Sequence, residues 1–436
     1  MDKDETTVSS LTLFREIGLP TANSQWVDFY VNKRKYRRLM VDEYDDRLLT
    51  RFHEAQAQFT QGQQPEVNGH IFKSSGILQN LGPYGRGDGS KLSTSDGWKP
   101  VQRYQWIYSS KNQKWKGHKE LEDMINGLAK NKSNRGRLKK WFQENWDIDA
   151  TLTYIAVRNW MGAGDDTVHN YYLWRRSNGK WAMLPWDFDN DMRTEYATKS
   201  IYIGEAGNVN TTHGTHVIKD AVFKALRNEY KEKLYYLNNT HLHPDNIKAM
   251  GLTQFVGFAK ARQASVNKQC GSVKVPRQPS ATMAHAGNSV FPPALLATAE
   301  FVSGETGASA ATHASTIWEI RNANDTFGQP VLRVESDADL DSLPIPFDRL
   351  EFGRTYYWRA THRDSDGRLS LPTLGASFRY GGHSRSADLI PIQGSQWRYN
   401  QDGEDLKTAW RKEDYDDSNW PVGPGLLGKS TSKQIP

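Results

Sequence analysis

The chain predicts an α+β fold, with a mixed unit of helices and hairpins in front and an all-β region behind. Three observations predict it. Two aromatic-rich runs flank Asn178-Gly179, the dipeptide most typical of a two-residue hairpin turn. Helical periodicity recurs around them, most clearly over residues 149–161, where Leu152, Ile155, Ala156 and Trp160 share one face. From about Gly271 the composition shifts to Pro, Ser, Ala and Gly, which reads as a linker, and only alternating strand patterns follow.

The elements follow in order. Residues 7–17 read as a helix stopped by Gly18 and Pro20. Residues 26–31 and 36–41 alternate about a polar turn and read as a hairpin. A helix over 46–58, weak strand character over 69–73, and helices over 121–128 and 136–142 come next. The helix over 149–161 ends at Gly162 and Gly164 and delivers the chain to Asp165. Residues 217–237 and 247–266 read as two further amphipathic helices. Behind the linker, residues 316–321 and the step Leu350-x-x-Gly353-x-x-Tyr356-x-Trp358 alternate as strands, with Tyr356 where a tyrosine corner closes a β-sandwich.

The chemistry gathers at the open end of the Asn178-Gly179 hairpin. A two-residue turn sets Asn170 opposite Asp187, with Cβ atoms about 5 Å apart. Asp165 precedes the amide by a short step, and Asp189 follows Asp187. Asp, then Asn, then a hairpin and a second Asp is the order in which metal-dependent phosphoryl-transfer sites are assembled. An ordinary solvated turn is the plainer reading of the same residues.

Asn170-Tyr171-Tyr172-Leu173, the hairpin and Pro185-Trp186-Asp187-Phe188-Asp189 resemble the core of the spore-coat protein H (CotH) kinase family of atypical, secretory-type protein kinases. Phe14 to Pro20, followed by Val31-Asn32 and Glu43, is similar to the family's helix, Gly-x-Pro turn and hairpin leading to an acidic residue. The resemblance covers roughly residues 7–265. It departs at Lys33-Arg34-Lys35-Tyr36-Arg37-Arg38, where the family has a small residue and a Tyr-x-Gly step. The family also has strands ahead of the first helix, so the chain reads as a fragment lacking them.

The resemblance implies an atypical protein-kinase-like domain over residues 1–270 that moves the γ-phosphoryl of ATP to Ser or Thr hydroxyls of a protein substrate. Asp165 or its neighbour Asp166 would be catalytic. Asn170, Asp187 and Asp189 would hold Mg²⁺ or Mn²⁺. Lys73 and Glu43 would bind the nucleotide as a lysine–glutamate pair, although Lys73 also reads as an ordinary edge-strand lysine and Asp42 competes with Glu43. After a linker and first strand over 271–290, residues 274–381 resemble a fibronectin type III domain. Residues 390–436 look like the opening of a galactose-binding-like jelly roll, too short to complete one. The alternative reading is a non-catalytic scaffold or adhesion protein with a glycan or cell-surface partner. Secretion or surface display is the expectation from the family and the accessory domains.

Composition bounds these readings. The 436 residues suggest two or three domains, and 15 Trp and 19 Tyr supply cores despite a 37% apolar fraction. No run of about 18 apolar residues occurs, so no membrane-spanning helix is encoded, and the first residues carry no signal-peptide pattern. The single Cys270 excludes an intrachain disulfide and a cysteine-built zinc site. The net charge of +6 is mild for this length. Residues 111–140 gather cations that read as a solvated helix face, so nucleic-acid binding is not expected.

Other motifs read as structural. The glycine-rich residues 82–89 lack the strand and helix that a phosphate-cradling loop requires. His213-x-x-His216 and His241-x-His243 lack a third zinc ligand. Asp337-x-Asp339-x-Asp341 begins like a calcium loop, but Ser342 stands where such a loop needs glycine, so it reads as an acidic turn between strands.

Overall fold

The computed structural model describes residues 3–57, 69–74, 108–167, 169–207, 215–282, 289–290, 293–307, 310–322, 330–374, 376–381, 396–400, 402, 405–412 and 414–424. Residues 1–380 form one compact unit and 381–436 a second. The glycine-rich 82–89 and His213 lie outside the described residues.

The front of the first unit runs α1 (Lys3–Glu16), β1 (Ser24–Val31), β2 (Arg34–Val41), α2 (Asp46–Ala57), β3 (Gly69–Ser74) and β4 (Tyr108–Ser110). It continues with α3 (Lys119–Asn131), α4 (Arg135–Asn145), α5 (Ile148–Trp160), β5 (Tyr171–Arg176), β6 (Trp181–Pro185), α6 (Val217–Asn238), α7 (Pro244–Ala249) and α8 (Val256–Cys270). The helix expected over 247–266 is therefore two. Gly251, at φ +78°, ends the first piece, because a left-handed residue cannot continue a right-handed helix.

β1 and β2 form a sheet of their own, turned by Asn32 and Lys33, both left-handed at φ +50° and +65° as a type I′ turn requires. β3 to β6 form an antiparallel sheet in the order β4-β3-β5-β6. Within it Tyr171 pairs with Pro185 and Tyr172 with Leu184, one residue out of the register expected from a two-residue turn. The turn is a three-residue one. Arg176 N–H donates to the Lys180 carbonyl at 2.8 Å, and only Gly179, at φ +80°, is left-handed, the arrangement of a type I turn with a bulge. Asn170 and Asp187 are thus not a cross-strand pair. Asn170 lies one residue and Asp187 two residues beyond the last pair of the ladder.

α5 is the spine of the unit. Residues Thr151 to Trp160 are all buried, so this helix is packed on every side. Asp147 caps its start by accepting from the Ala150 N–H at 3.0 Å, also holds Arg176, and donates its own N–H to the Trp181 carbonyl at 2.8 Å. Its far end is tied to the segment after Asp187 by the Met192 N–H, which donates to Met161 O at 2.9 Å.

Behind α8 the described residues form strands and short 3₁₀ turns and no α-helix. Strands order as β10-β9-β12-β13-β7 in one sheet (β7 Ser289–Val290, β9 His313–Arg321, β10 Leu332–Ser336, β12 Thr355–Asp364, β13 Ala376–Tyr380), and β8 (Leu295–Ala297) pairs with β11 (Ser342–Pro344). Trp318, Ile320, Trp358, Phe378 and Leu296 fill its core. The Tyr356 hydroxyl accepts from the Glu351 N–H at 2.8 Å. The linker composition predicts that this region stands apart from the helices. Instead, α5 and α6 face β12 and the turn after it across a cavity of about 260 Å³ lined by Asp149, Glu232, Tyr236, Arg363 and Arg368. In the second unit the described residues hold a two-stranded antiparallel pair, β14 (Gln396–Arg398) with β15 (Val422–Pro424).

Candidate active site

The site forms where the end of β6, the turn after α5 and the face of α1 meet. Asp187-Phe188-Asp189 alternates there. Phe188 is buried between the Phe14 ring, 5.9 Å away by centroids, and the Arg158 guanidinium at 5.2 Å. Anchoring that ring inside turns the flanking carboxylates toward the cleft. Asp187 and Asn170 both hold left-handed φ, +56° and +66°, a conformation costly for residues with a side chain and frequent where a site demands it. Asn170 is buried at the mouth of the sheet.

Asp165 and Asp166 separate sharply. Asp166 is fully buried, bonded by Lys219 Nζ at 2.8 Å, Arg158 Nε at 3.3 Å and the Tyr154 hydroxyl at 3.2 Å. Although burial alone pushes its carboxyl up, Lys219 and Arg158 outweigh it and hold it near 2. Asp165 keeps 20% of its side chain exposed and lies 3.6 Å from Arg158. Burial raises the Asp187 carboxyl above its ordinary value, and the Asp189 and Asp165 charges push the same way. Asp189 itself pairs with Lys3 on α1 at 2.7 Å.

Sequence reading missed the group that organises these acids. Arg158, fully buried on α5, donates to Asp191 at 2.5 Å, to Asp166 and to the Asp187 carbonyl at 3.3 Å. Asp191 is buried too, and one of its oxygens has no hydrogen-bond partner, as is also true of one Asp165 oxygen. A buried arginine inside an amphipathic pattern is the signal that could have found it, since such a charge is kept only where carboxylates meet it. A second buried arginine, Arg262 on α8, donates to the carbonyls of Trp160, Asn159, Ala197 and Lys199 and so pins the end of α5 to the segment after Asp189.

Lys73 is on an interior strand, not an edge: β3 lies between β4 and β5, with Lys73 opposite Tyr172. Its ammonium sits 4.5 Å over the Trp186 ring. Burial lowers its pKa, and Lys111 adds to that, while Asp187 and Glu43 act against it. Asp42 is held by Arg51 at 2.8 Å, which leaves Glu43 as the exposed acid acting on Lys73. Buried Tyr44 fixes that stretch, donating to Pro185 O at 2.5 Å and stacking on Tyr172 at 4.3 Å. A cavity of about 330 Å³ opens on Asp187 and Asp189 between Lys3, Thr7, Leu39, Val41 and Trp186.

The described residues contain no group of three or more His, Cys, Asp or Glu placed so that it could hold a metal ion. Carboxylate oxygens are the donors that a hard divalent cation takes, and Asp165 and Asp191 each keep one buried oxygen without a hydrogen-bond partner. The histidines serve otherwise. His216 caps α6 through Nδ1, which accepts from Ile218 and Lys219 N–H, and His243 caps α7 in the same way. Within the basic stretch, Lys119, Lys139 and Lys140 are in ion pairs.

A mixed α+β unit with an antiparallel sheet, a buried helical spine and aspartates at the sheet's mouth is of the kinase-like class. Residues 7–251, more than half of the 436, match the CotH kinase protein family, and the chain belongs to it. No curated protein matches the chain. Among solved structures it is similar to a chain in the complex of the Shewanella oneidensis MR-1 toxin–antitoxin system HipA, HipB and its operator DNA, at 13% identity and a TM-score of 0.28. That match covers 61% of this chain and about half, 54%, of the other.

Proposed function

We propose that the protein is a metal-dependent phosphotransferase that moves the γ-phosphoryl of ATP to a Ser or Thr hydroxyl of a protein substrate. The observation that carries this reading is that Asp187 and Asp189 line one cavity, with the Asp165 charge acting on Asp187 and the Glu43 charge acting on Lys73. In the reading, Asp165 orients the acceptor hydroxyl and takes its proton. Asp187, with Asn170 and Asp189, holds Mg²⁺ or Mn²⁺, which when bound offsets charge on the phosphates. Lys73 lies against a nucleotide phosphate with Glu43 as its partner. Asp166 acts through Arg158 and Lys219, keeping the turn that carries Asp165 in place.

Family membership supports the same reading. The β region as a fibronectin type III-like domain, the second unit as a galactose-binding-like start, and a secreted or cell-surface setting with a protein or glycan partner are part of the proposal. The test is incorporation of labelled phosphate from ATP into offered proteins with Mn²⁺ or Mg²⁺. Transfer that depends on Asp187 supports the reading. Binding of ATP with no transfer to any protein would hand the chain to the scaffold alternative.

A further inference from the structure

The β1–β2 hairpin carries an unusual surface. Trp26, Phe29, Tyr30, Val31, Tyr36 and Met40 are each between 36% and 67% exposed, a density of large apolar groups that a free surface rarely shows. The same ribbon holds Lys33, Arg34, Lys35, Arg37 and Arg38 against one acid, Asp28. Lys35 pairs with Asp28 at 2.9 Å. Among the described residues the other four cations have no carboxylate within ion-pair distance. At the tip Lys33 holds φ +65°, where glycine would sit without strain, so a charge is kept there at a backbone cost of about 1 kcal/mol.

Among the described strands β2 pairs only with β1, so no strand covers its other edge, where the Arg37 carbonyl accepts from the Arg38 guanidinium at 3.2 Å. Cations on an open edge commonly serve to repel another strand. Here they alternate onto both faces of β2, and they repel a basic strand or a second copy while attracting an acidic one. The ribbon also leads somewhere: Leu39 and Val41, at the end of β2, line the cavity at Asp187.

We propose that the open edge of β2 docks an extended acidic segment of a protein partner, added as a strand alongside Arg34 to Arg38 and running toward the Asp187 cleft. That this segment belongs to the phosphate acceptor rests on the phosphotransferase reading; the docking does not. Nucleic acid is the rival polyanion, but it needs open ring faces for its bases. Phe29 and Tyr36 stack on each other at 5.6 Å and the Arg37 guanidinium covers Trp26 at 5.0 Å, which leaves Tyr30, 67% exposed, as the ring still open. Strand addition uses the backbone edge and leaves those rings as they are.

The test is fluorescence anisotropy of the full chain with a labelled peptide of alternating Glu and Val, without nucleotide. The Glu–Val peptide is expected to bind and its Lys–Val counterpart not to. The double change Arg34→Glu and Arg38→Glu, on exposed side chains, is expected to weaken binding at least tenfold with an unchanged melting temperature. Asp187→Ala is expected to bind the peptide as the wild type does, which separates docking from chemistry. Equal binding by the charge-reversed protein, or tighter binding of a single-stranded DNA oligonucleotide, overturns the proposal. So does a dimer in sedimentation that Phe29→Ser dissolves, which would make a second copy the occupant.

Discussion

Asp165 and Asp166 are neighbours in the chain with different surroundings: Asp166 has no exposed surface and is shared by Arg158 and Lys219, while Asp165 keeps 20% of its side chain exposed. Removing a carboxylate from a buried ion network leaves its cations uncompensated, at about 3–5 kcal/mol. Asp166→Ala is therefore expected to lower stability by that order in chemical denaturation. Asp165→Ala should cost less than about 1 kcal/mol, as for a partly exposed pair, and stop phosphate transfer. Equal destabilisation by both changes would sink the division of roles.

Asp187 is the residue on which metal binding is expected to turn. Asp187→Ala should abolish the rise in melting temperature that Mn²⁺ with ATP produces in the wild type, together with transfer. Because burial and the Asp189 and Asp165 charges raise its carboxyl, protons compete with the metal at Asp187 more than at an ordinary aspartate. Apparent Mn²⁺ affinity, followed by calorimetry, should keep climbing with pH above the range in which an ordinary solvated aspartate has already lost its proton. A flat profile would contradict the assignment.

Acid should loosen the fold through buried histidines. Burial pushes His216 and His241 down to about 3 and His362 down to about 4. In the unfolded chain each titrates near 6.5, so between roughly pH 6.5 and pH 4 the unfolded state binds more protons. The stability they contribute is complete above about 6.5 and is lost as pH falls through that window. His216 adds a specific cause, since protonating Nδ1 removes the acceptor that caps α6. His216→Asn keeps a capping oxygen without the titration, and thermal melts of this variant should fall less steeply with acid.

Gly162 is the hinge of the Asp165 turn. It holds φ +76°, and an added Cβ would lie 2.6 Å from Tyr196 Cβ. Gly162→Ala meets both penalties, and the left-handed backbone alone costs about 1–2 kcal/mol. A melting temperature equal to the wild type would show that the turn relaxes freely, contrary to expectation. Phosphate transfer should fall as well, because this turn carries Asp165.

Periodicity and breaker residues made most front elements legible: the helix into Gly162, the strands around Asn178-Gly179 and the hairpin after Pro20. The register of the second hairpin was not. Asn-Gly suits a two-residue turn and also the last positions of a three-residue one, and only the φ of Asn178 separates them. The split at Gly251 was written in the sequence but hidden by apolar spacing that runs on through it. Arg158 stood out only as an arginine within a helical pattern, and its partners Asp166 and Asp191, with Lys219 beside them, were beyond reach, because α5, α6 and the segment after Asp187 meet only in three dimensions. The spacing did single out Asp165, Asp187 and Asp189, since a short hairpin necessarily returns its ends to one place.

Arg262 sets where an autonomous piece of this protein can stop. Its guanidinium holds four carbonyls from the end of α5 and the segment after Asp189, yet it lies on α8, outside the family-matched residues 7–251. A chain shortened to those residues keeps every aspartate of the cleft and loses the clamp that pins the end of α5 to the segment after Asp189. Buried carbonyls left without donors cost about 1–3 kcal/mol each. A piece that keeps this clamp extends at least through Arg262, into the helix that follows the family-matched residues.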